Sequence, residues 1–356
     1  MGSTAMPEQS TAANSEEMVP HRHRLRSVVK VAAGLLIVLA VIAATGIYLT
    51  TEHLAGQIRR LPGVFSGMSD ADRPPPTAAL NILLVGSDSL ADEPTTGTAA
   101  TASGQEPGGQ RSDVIMVLHV AADHRGATVV SLPRDSWVDV PGRGKTKINA
   151  SYSFGGPPLL VRTVEGLTGQ RIDHFAVIDF AGFQALTDAV GGIDVTVDTT
   201  TTFGAEVLHA GPNHLNGTEA LGYVRQRKGL PAGDLDRVQR HQNALRALLR
   251  KAAANGFLAT PVQTYRFLDE LTQWVTVDDT MATSSLWSLG WKSRDLSANA
   301  ITFLTAPVSG LGREGTQSVV YLDQDRNTEL WRRIAADDID GYLRAHPGTA
   351  LGDSTR

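Results

Sequence analysis

The chain alternates short, nearly continuous apolar runs with polar joints rich in glycine and proline. Leu80–Gly86 (LNILLVG), Val114–Val120 (VIMVLHV) and Ala127–Leu132 (ATVVSL) read as strands, followed by His174–Phe180 and Ile193–Val197. Their apolar residues run together rather than alternating with polar ones, which predicts strands covered on both faces. Helices are expected over Leu159–Leu167, closed by Gly169, and over Phe180–Val190, closed by Gly191-Gly192. The longest helix spans Asp234–Ala254, with Asp234 as its N-cap and Val238, Gln242, Leu245 and Leu249 along one face. Pro261 opens a further helix to Trp274, and residues 323–344 read as helical. This pattern predicts an α/β fold: a single layered α-β-α domain with a mixed central sheet over residues 79–346. Residues 347–356 are expected to form a disordered tail.

One run is of another kind. Val28–Leu49 holds 22 residues with Lys30 as its only charge. As a helix it would extend roughly 33 Å, enough for a ~30 Å hydrocarbon core. Arg22, Arg24 and Arg26 precede it, so the positive-inside rule places residues 1–27 in the cytoplasm and the bulk of the chain outside. The competing reading is a cleaved signal peptide with a site near Val41-Ile42-Ala43, against which stand the length of the run and the long stretch before it. The expected order is a disordered cytoplasmic tail (1–27), a transmembrane helix (28–49), an extracellular linker (50–78) and the folded domain. The triple proline of Arg73–Thr77 marks that linker as an extended spacer.

Composition narrows the function. Hydrophobic residues make up 42% and charged residues 19% of the chain, enough apolar material for a packed core. A net charge of −5 argues against a nucleic-acid partner. With no cysteine, disulfides, thiolate metal sites and cysteine nucleophiles are excluded. The common nucleophile-elbow, Walker, dinucleotide and zinc-protease signatures are also missing.

What remains is a set of Asp and Arg residues at strand ends and on one helix. Asp88 follows the first strand, Arg111 and Asp113 precede the second, and Arg134 follows the third. Antiparallel pairing of the first two strands would bring Asp88, Asp113 and Arg111 together. Two carboxylates suit Mg²⁺, which keeps several positions for water and phosphate oxygens. The plainer alternative is that they are turn and cap residues. Arg225 and Arg227 flank one residue, and Arg237, Arg240 and His241 share a face in the first turns of the long helix. A helix N-terminus is a poor place for cations, and two like charges ~6 Å apart cost roughly 3 kcal/mol at an effective dielectric of 20. Such a cluster calls for a bound polyanion or for nearby carboxylates. A diphosphate fits because arginine forks onto phosphate oxygens.

Longer segments carry a resemblance. NILLVGSDS (81–89), RSDVIMVLHV (111–120), SLPRDSWVDVPGRGKTKINASYSFGGP (131–157), LTGQRIDHFAVIDFAGFQALTDAVGGIDV (167–195), HLNGTEALGYVRQRK (214–228), GDLDRVQRHQ (233–242) and SVVYLDQDRNTELWRRI (318–334) together resemble the LytR-CpsA-Psr family of cell-envelope proteins in its actinobacterial form. The resemblance implies a membrane-anchored extracellular phosphotransferase. It would move a glycopolymer from a polyprenyl diphosphate carrier to peptidoglycan through a phosphodiester. It implies Mg²⁺ (or Mn²⁺) held by Asp88 and Asp113, and membrane lipid as a partner. Arg111 and Arg134 are then catalytic, and Arg225, Arg227, Arg237, Arg240, His241 and Gln242 bind the diphosphate. The family motif R-x-x-R-Q-Q reads Arg237-Val-Gln-Arg240-His241-Gln242 here, so histidine replaces a glutamine. At that position it is expected to donate a hydrogen bond to phosphate while neutral or partly charged. The alternatives are a lipid-binding protein or a pyrophosphatase without transfer.

Overall fold

The computed structural model describes residues 59–87, 112–203, 206–226, 229–254, 272–282 and 300–355. They belong to one compact unit, residues 52–356. The expected membrane segment and the expected Pro261–Trp274 helix lie outside them, apart from the last three residues of the latter. Among the described residues no helix is long and apolar enough to cross a membrane.

The strands in chain order are β1 (Arg59–Leu61), β2 (Leu80–Ser87), β3 (Ser112–Val120), β4 (Ala127–Ser131), β5 (Trp137–Val140), β6 (Gly144–Lys147), β7 (His174–Asp179), β8 (Ile193–Val197), β9 (Thr201–Phe203), β10 (Glu206–Leu208), β11 (Gly211–Leu215), β12 (Val275–Asp278), β13 (Ile301–Thr305), β14 (Val308–Glu314) and β15 (Gln317–Leu322). The helices are α1 (Ile148–Thr168), α2 (Phe180–Ala189), α3 (Gly217–Arg225), α4 (Asp234–Ala254), α5 (Gln324–Ala335) and α6 (Ile339–Ala345). Seven strands form the central sheet in the order β1-β12-β7-β2-β3-β4-β13. It is mixed: β2 runs parallel to β7 and antiparallel to β3, and β4 runs antiparallel to β3 and parallel to β13.

Both faces are covered, as the apolar runs require. Leu83 and Val85 of β2 pack with Leu160 and Val164 of α1 and with Leu330 and Trp331 of α5. Successive residues of a strand face opposite ways, so Leu84 joins the cluster of Met116, Val129 and Phe303 under Leu245 and Leu249 of α4. Burying each such aliphatic side chain contributes about 1.5–3 kcal/mol. A third cluster joins α3, α4, β8 and β11 around Tyr223 and Ile193.

Four expectations need correction. The first is α1, which begins at Ile148, before the expected Leu159. Its first turns break at Gly155-Gly156, which take non-helical dihedrals, and the helix resumes at Pro157. Proline suits a helix start, where its missing N–H is no loss. The second is the 323–344 helix, which is two helices. Asp338 caps the second by accepting from the Gly341 N–H, after Asp337 has taken a positive φ. The third is the linker, which ends earlier than residue 78. Leu61 and Val64 lie in the main core, and the Arg73 guanidinium forks onto Glu165 at 2.7 Å. The fourth is the tail. Thr355 bridges β8 through the Thr196 carbonyl (3.1 Å) and the Asp198 N–H (2.9 Å), and its hydroxyl lies 2.6 Å from the Tyr223 hydroxyl. Short polar residues made the tail look unstructured, but its backbone completes an edge.

Candidate functional site

Asp113 owes its place to a break in register. Gly86 pairs with Val114 and Ser87 with Ser112, so Asp113 has no opposite residue and sits in a bulge. Bulges re-aim a side chain and end pairing. Gly86 permits this one, since a Cβ there would lie 2.8 Å from the Val114 Cβ. The expected antiparallel pairing of these strands is observed. Asp88, Arg111 and Arg227 lie outside the described residues.

Arg134 comes from the turn after β4. The Ser136 N–H donates to the Pro133 carbonyl (2.9 Å), and the Asn149 N–H of α1 donates to the Arg134 carbonyl (3.2 Å). So held, the Arg134 Nη1 donates to Asp113 Oδ1, and its Nε lies 3.4 Å from Asp234 Oδ1. The same Asp234 oxygen accepts from Arg237 Nη2. Asp113, Arg134, Asp234 and Arg237 therefore form one chain of alternating charge, largely shielded from solvent. Burial opposes the charge on Arg134, but Asp113 and then Asp234 outweigh it, and the guanidinium is held above its ordinary value. Asp135 pairs with Lys147 at 2.9 Å and lies 3.8 Å from the Arg134 Nε, at the edge of the same network.

Asp234 is the residue the pattern misjudged. It is the first residue of α4, and its carboxylate faces two arginines instead of capping the helix. The signal was its spacing of three before Arg237, which places both on one helical face. Asp236, two residues on, accepts from the Ala232 N–H at 2.7 Å.

The other expected anion contacts lie elsewhere. Arg240 has no exposed surface; its guanidinium lies 4.7 Å from the Tyr223 ring centroid and donates to Gln226 Oε1 at 2.5 Å. Gln226 was missed between its two arginine neighbours, and no pattern marked it as the inward residue. Arg225 is exposed and stacks 4.8 Å over the Phe180 ring. Gln242 points into the sheet, donating to Ser131 Oγ (2.8 Å), the Leu304 carbonyl (2.8 Å) and Thr305 Oγ1 (3.1 Å).

Those bonds tie α4 to the ends of β4 and β13, in place of the phosphate contact expected of Gln242. Gln242→Leu should lower stability by about 2 kcal/mol, because it leaves buried acceptors without a donor. Urea unfolding measures this. A direct role in anion binding would instead appear as weaker pyrophosphate binding at unchanged stability.

His241 is buried, with Nε2 3.0 Å from the Val224 carbonyl. A carbonyl only accepts, so Nε2 carries the hydrogen and Nδ1 of the neutral ring is an acceptor. Burial, then the positive Arg237, push its pKa from 6.5 down to about 4. The expected neutral state fits this shift. The expected donation to phosphate does not fit the geometry, because the N–H is engaged within the fold.

Among the described residues no three His, Asp or Glu side chains are gathered as a metal site. Asp113 offers the carboxylate oxygens that hard cations take, and Mg²⁺ commonly uses only one or two protein carboxylates. The donor chemistry therefore fits such an ion.

The chain is similar to known proteins in sequence and in fold. The LytR_cpsA_psr family model matches residues 65–336. The "Probable cell wall biosynthesis protein LcpB" of Corynebacterium glutamicum is 34% identical over 278 residues, covering 75% of this chain and 62% of that protein. The polyisoprenyl-teichoic acid–peptidoglycan teichoic acid transferase TagU of Bacillus mycoides is 36% identical over 151 residues, 42% of this chain and 50% of that protein. The chain thus spans between half and two thirds of the length of these relatives. Among solved structures, B. subtilis TagV superposes with a TM-score of 0.59 at 27% identity, covering 74% of this chain and 97% of that one. The family model covers well over half of the chain, and the chain belongs to the LytR_cpsA_psr family.

Proposed function

We propose that this protein is a membrane-anchored extracellular transferase that moves a glycopolymer from a polyprenyl diphosphate carrier to peptidoglycan. The observation that carries the reading is the Asp113–Arg134–Asp234–Arg237 network beside the β2–β3 bulge. TagU, by its name, transfers teichoic acid from a polyisoprenyl carrier to peptidoglycan, which supports the same class of donor and acceptor here. Residues 28–49 supply the anchor in this reading.

Phosphoryl transfer needs positioning and charge neutralisation more than covalent help. A peptidoglycan hydroxyl attacks the phosphorus next to the sugar. Its new P–O bond forms as the bond to the lipid phosphate breaks, and the hydroxyl proton passes to a carboxylate, Asp113 or Asp88. In this reading Arg134 and Arg237 would neutralise the charge that gathers on the leaving lipid phosphate. Asp88 and Asp113 would hold Mg²⁺, whose contribution is to neutralise diphosphate charge.

The test incubates the full chain in detergent with labelled polyprenyl diphosphate saccharide, Mg²⁺ and peptidoglycan. Label should pass to peptidoglycan, and Asp113→Asn or chelation of Mg²⁺ should lower the rate by at least about 100-fold. Lipid phosphate released without labelled peptidoglycan would make the protein a pyrophosphatase. Saturable lipid binding with neither product would make it a carrier.

A further inference from the structure

The far half of α4 lines a separate groove. Its volume is about 330 Å³, and it lies between α4, β8 and the C-terminal tail. Volumes of about 300–1,000 Å³ are usual for small-molecule sites. Arg246, Arg250 and Lys251 present three cations to it, against the carboxylates of Asp194 and Asp353.

The cations are not equally engaged. Lys251 lies 3.4 Å from Asp194, which also accepts from His214 at 2.6 Å. Arg246 is buried and donates to Asn243 Oδ1 (2.9 Å) and the Gly352 carbonyl (2.7 Å). These bonds fix its guanidinium, and the nearby Asp353 carboxylate offsets only part of its charge. Arg250 is exposed, one helical turn further on, and forms no ion pair among the described residues. Arg246 is held below its ordinary value by burial and then by the positive Arg250. Two guanidiniums thus repel each other across a concave surface, an arrangement an anion relieves.

The groove also holds acceptors. Asp194, Asp353 and the Thr196 hydroxyl can receive hydrogen bonds from a ligand, which sugar hydroxyls supply. Both signs within one groove suit a ligand carrying hydroxyls and an acid group together.

We infer that this groove binds an anionic saccharide unit, a sugar bearing phosphate or carboxylate, with its acid group on Arg246 and Arg250. Calling the ligand a saccharide rests on the proposed transferase reading; the anion site itself does not. The groove lies on the helix that carries Arg237, so it would hold polymer some distance from the reacting phosphorus.

Binding is measured without turnover, so it succeeds or fails independently of transfer. The full chain in detergent is titrated with glucose 6-phosphate, glucuronate and glucose, followed by equilibrium dialysis and by NMR shifts of the Thr196 and Ala247 amides. At least one acidic sugar should bind saturably, at least tenfold tighter than glucose, and should shift those amides. Whether phosphate or carboxylate binds better identifies the acid group. Arg250→Glu should weaken binding at least tenfold, and Arg250→Gln by a smaller factor; both lie at an exposed position. The inference is overturned if neither acidic sugar binds, if glucose binds equally well, if both Arg250 variants bind as wild type, or if the shifts map to Arg134 and Arg237 instead.

Discussion

Arg134→Ala should lower transfer by at least about 100-fold, as expected when a donor to developing phosphate charge is removed. It should also cost about 3 kcal/mol of stability, because Asp113 and Asp234 would be left as shielded carboxylates without their shared cation. Arg134→Lys should recover part of the stability and little of the rate. A single ammonium cannot span both carboxylates or fork onto two phosphate oxygens. Combining Arg134→Ala with Asp113→Asn should restore stability relative to Arg134→Ala alone, since the carboxylate that lost Arg134 is then replaced by a neutral amide. Urea unfolding and the labelled transfer assay read the two effects separately. Lost stability with a wild-type rate would make the network purely structural.

The second large effect is on pH. His241 has a pKa of about 4 in the fold and 6.5 in the unfolded chain. Above pH 6.5 the ring is neutral in both states and its contribution is complete. As the pH falls toward 4, the unfolded chain takes up a proton that the folded chain refuses, so stability declines. The full difference is about 3 kcal/mol, and below pH 4 this group adds no further loss. Burial lowers the pKa most, followed by Arg237 on its own helix, with Arg134 acting the same way; the Val224 carbonyl of α3 and Asp113 of β3 oppose the shift. His241→Gln keeps a donor for the Val224 carbonyl and removes the titration. Stability curves at pH 7 and pH 4.5 should therefore differ less in the variant, by about 2–3 kcal/mol. Identical pH dependence in the two proteins would mean that His241 titrates normally.

If arginines and aspartates offset one another in the resting protein, substrate must compete with an internal anion. Asp234 Oδ1 is shared by Arg134 and Arg237, where phosphate oxygens would bind in the proposed reaction. The cation cluster at the start of α4 is thus stable without ligand. Of the two means by which such a cluster can be compensated, a polyanion or nearby carboxylates, the fold supplies the second to Arg134 and Arg237.

The strands were legible because their chemistry is local. Continuous apolar runs such as LNILLVG have few other stable states, and β2, β3, β4 and β7 lie where those runs do. The span of α4 was equally plain from its periodicity and from the change of composition at its ends. The matched motifs likewise identified the family from residues alone. Direction of side chains was not legible. Whether Gln242 faces phosphate or the sheet, or Asp234 caps a helix or joins two arginines, depends on residues more than a hundred positions away, or on a turn from another strand. The bulge that frees Asp113 is a mismatch between two strands and exists in neither one alone. Sequence by itself determined the elements, the family and the candidate residue types, because propensity, periodicity and motif are properties of neighbours along the chain. Only the tertiary structure decided which of those residues share a site, because pairing register and burial are set by contacts between distant segments.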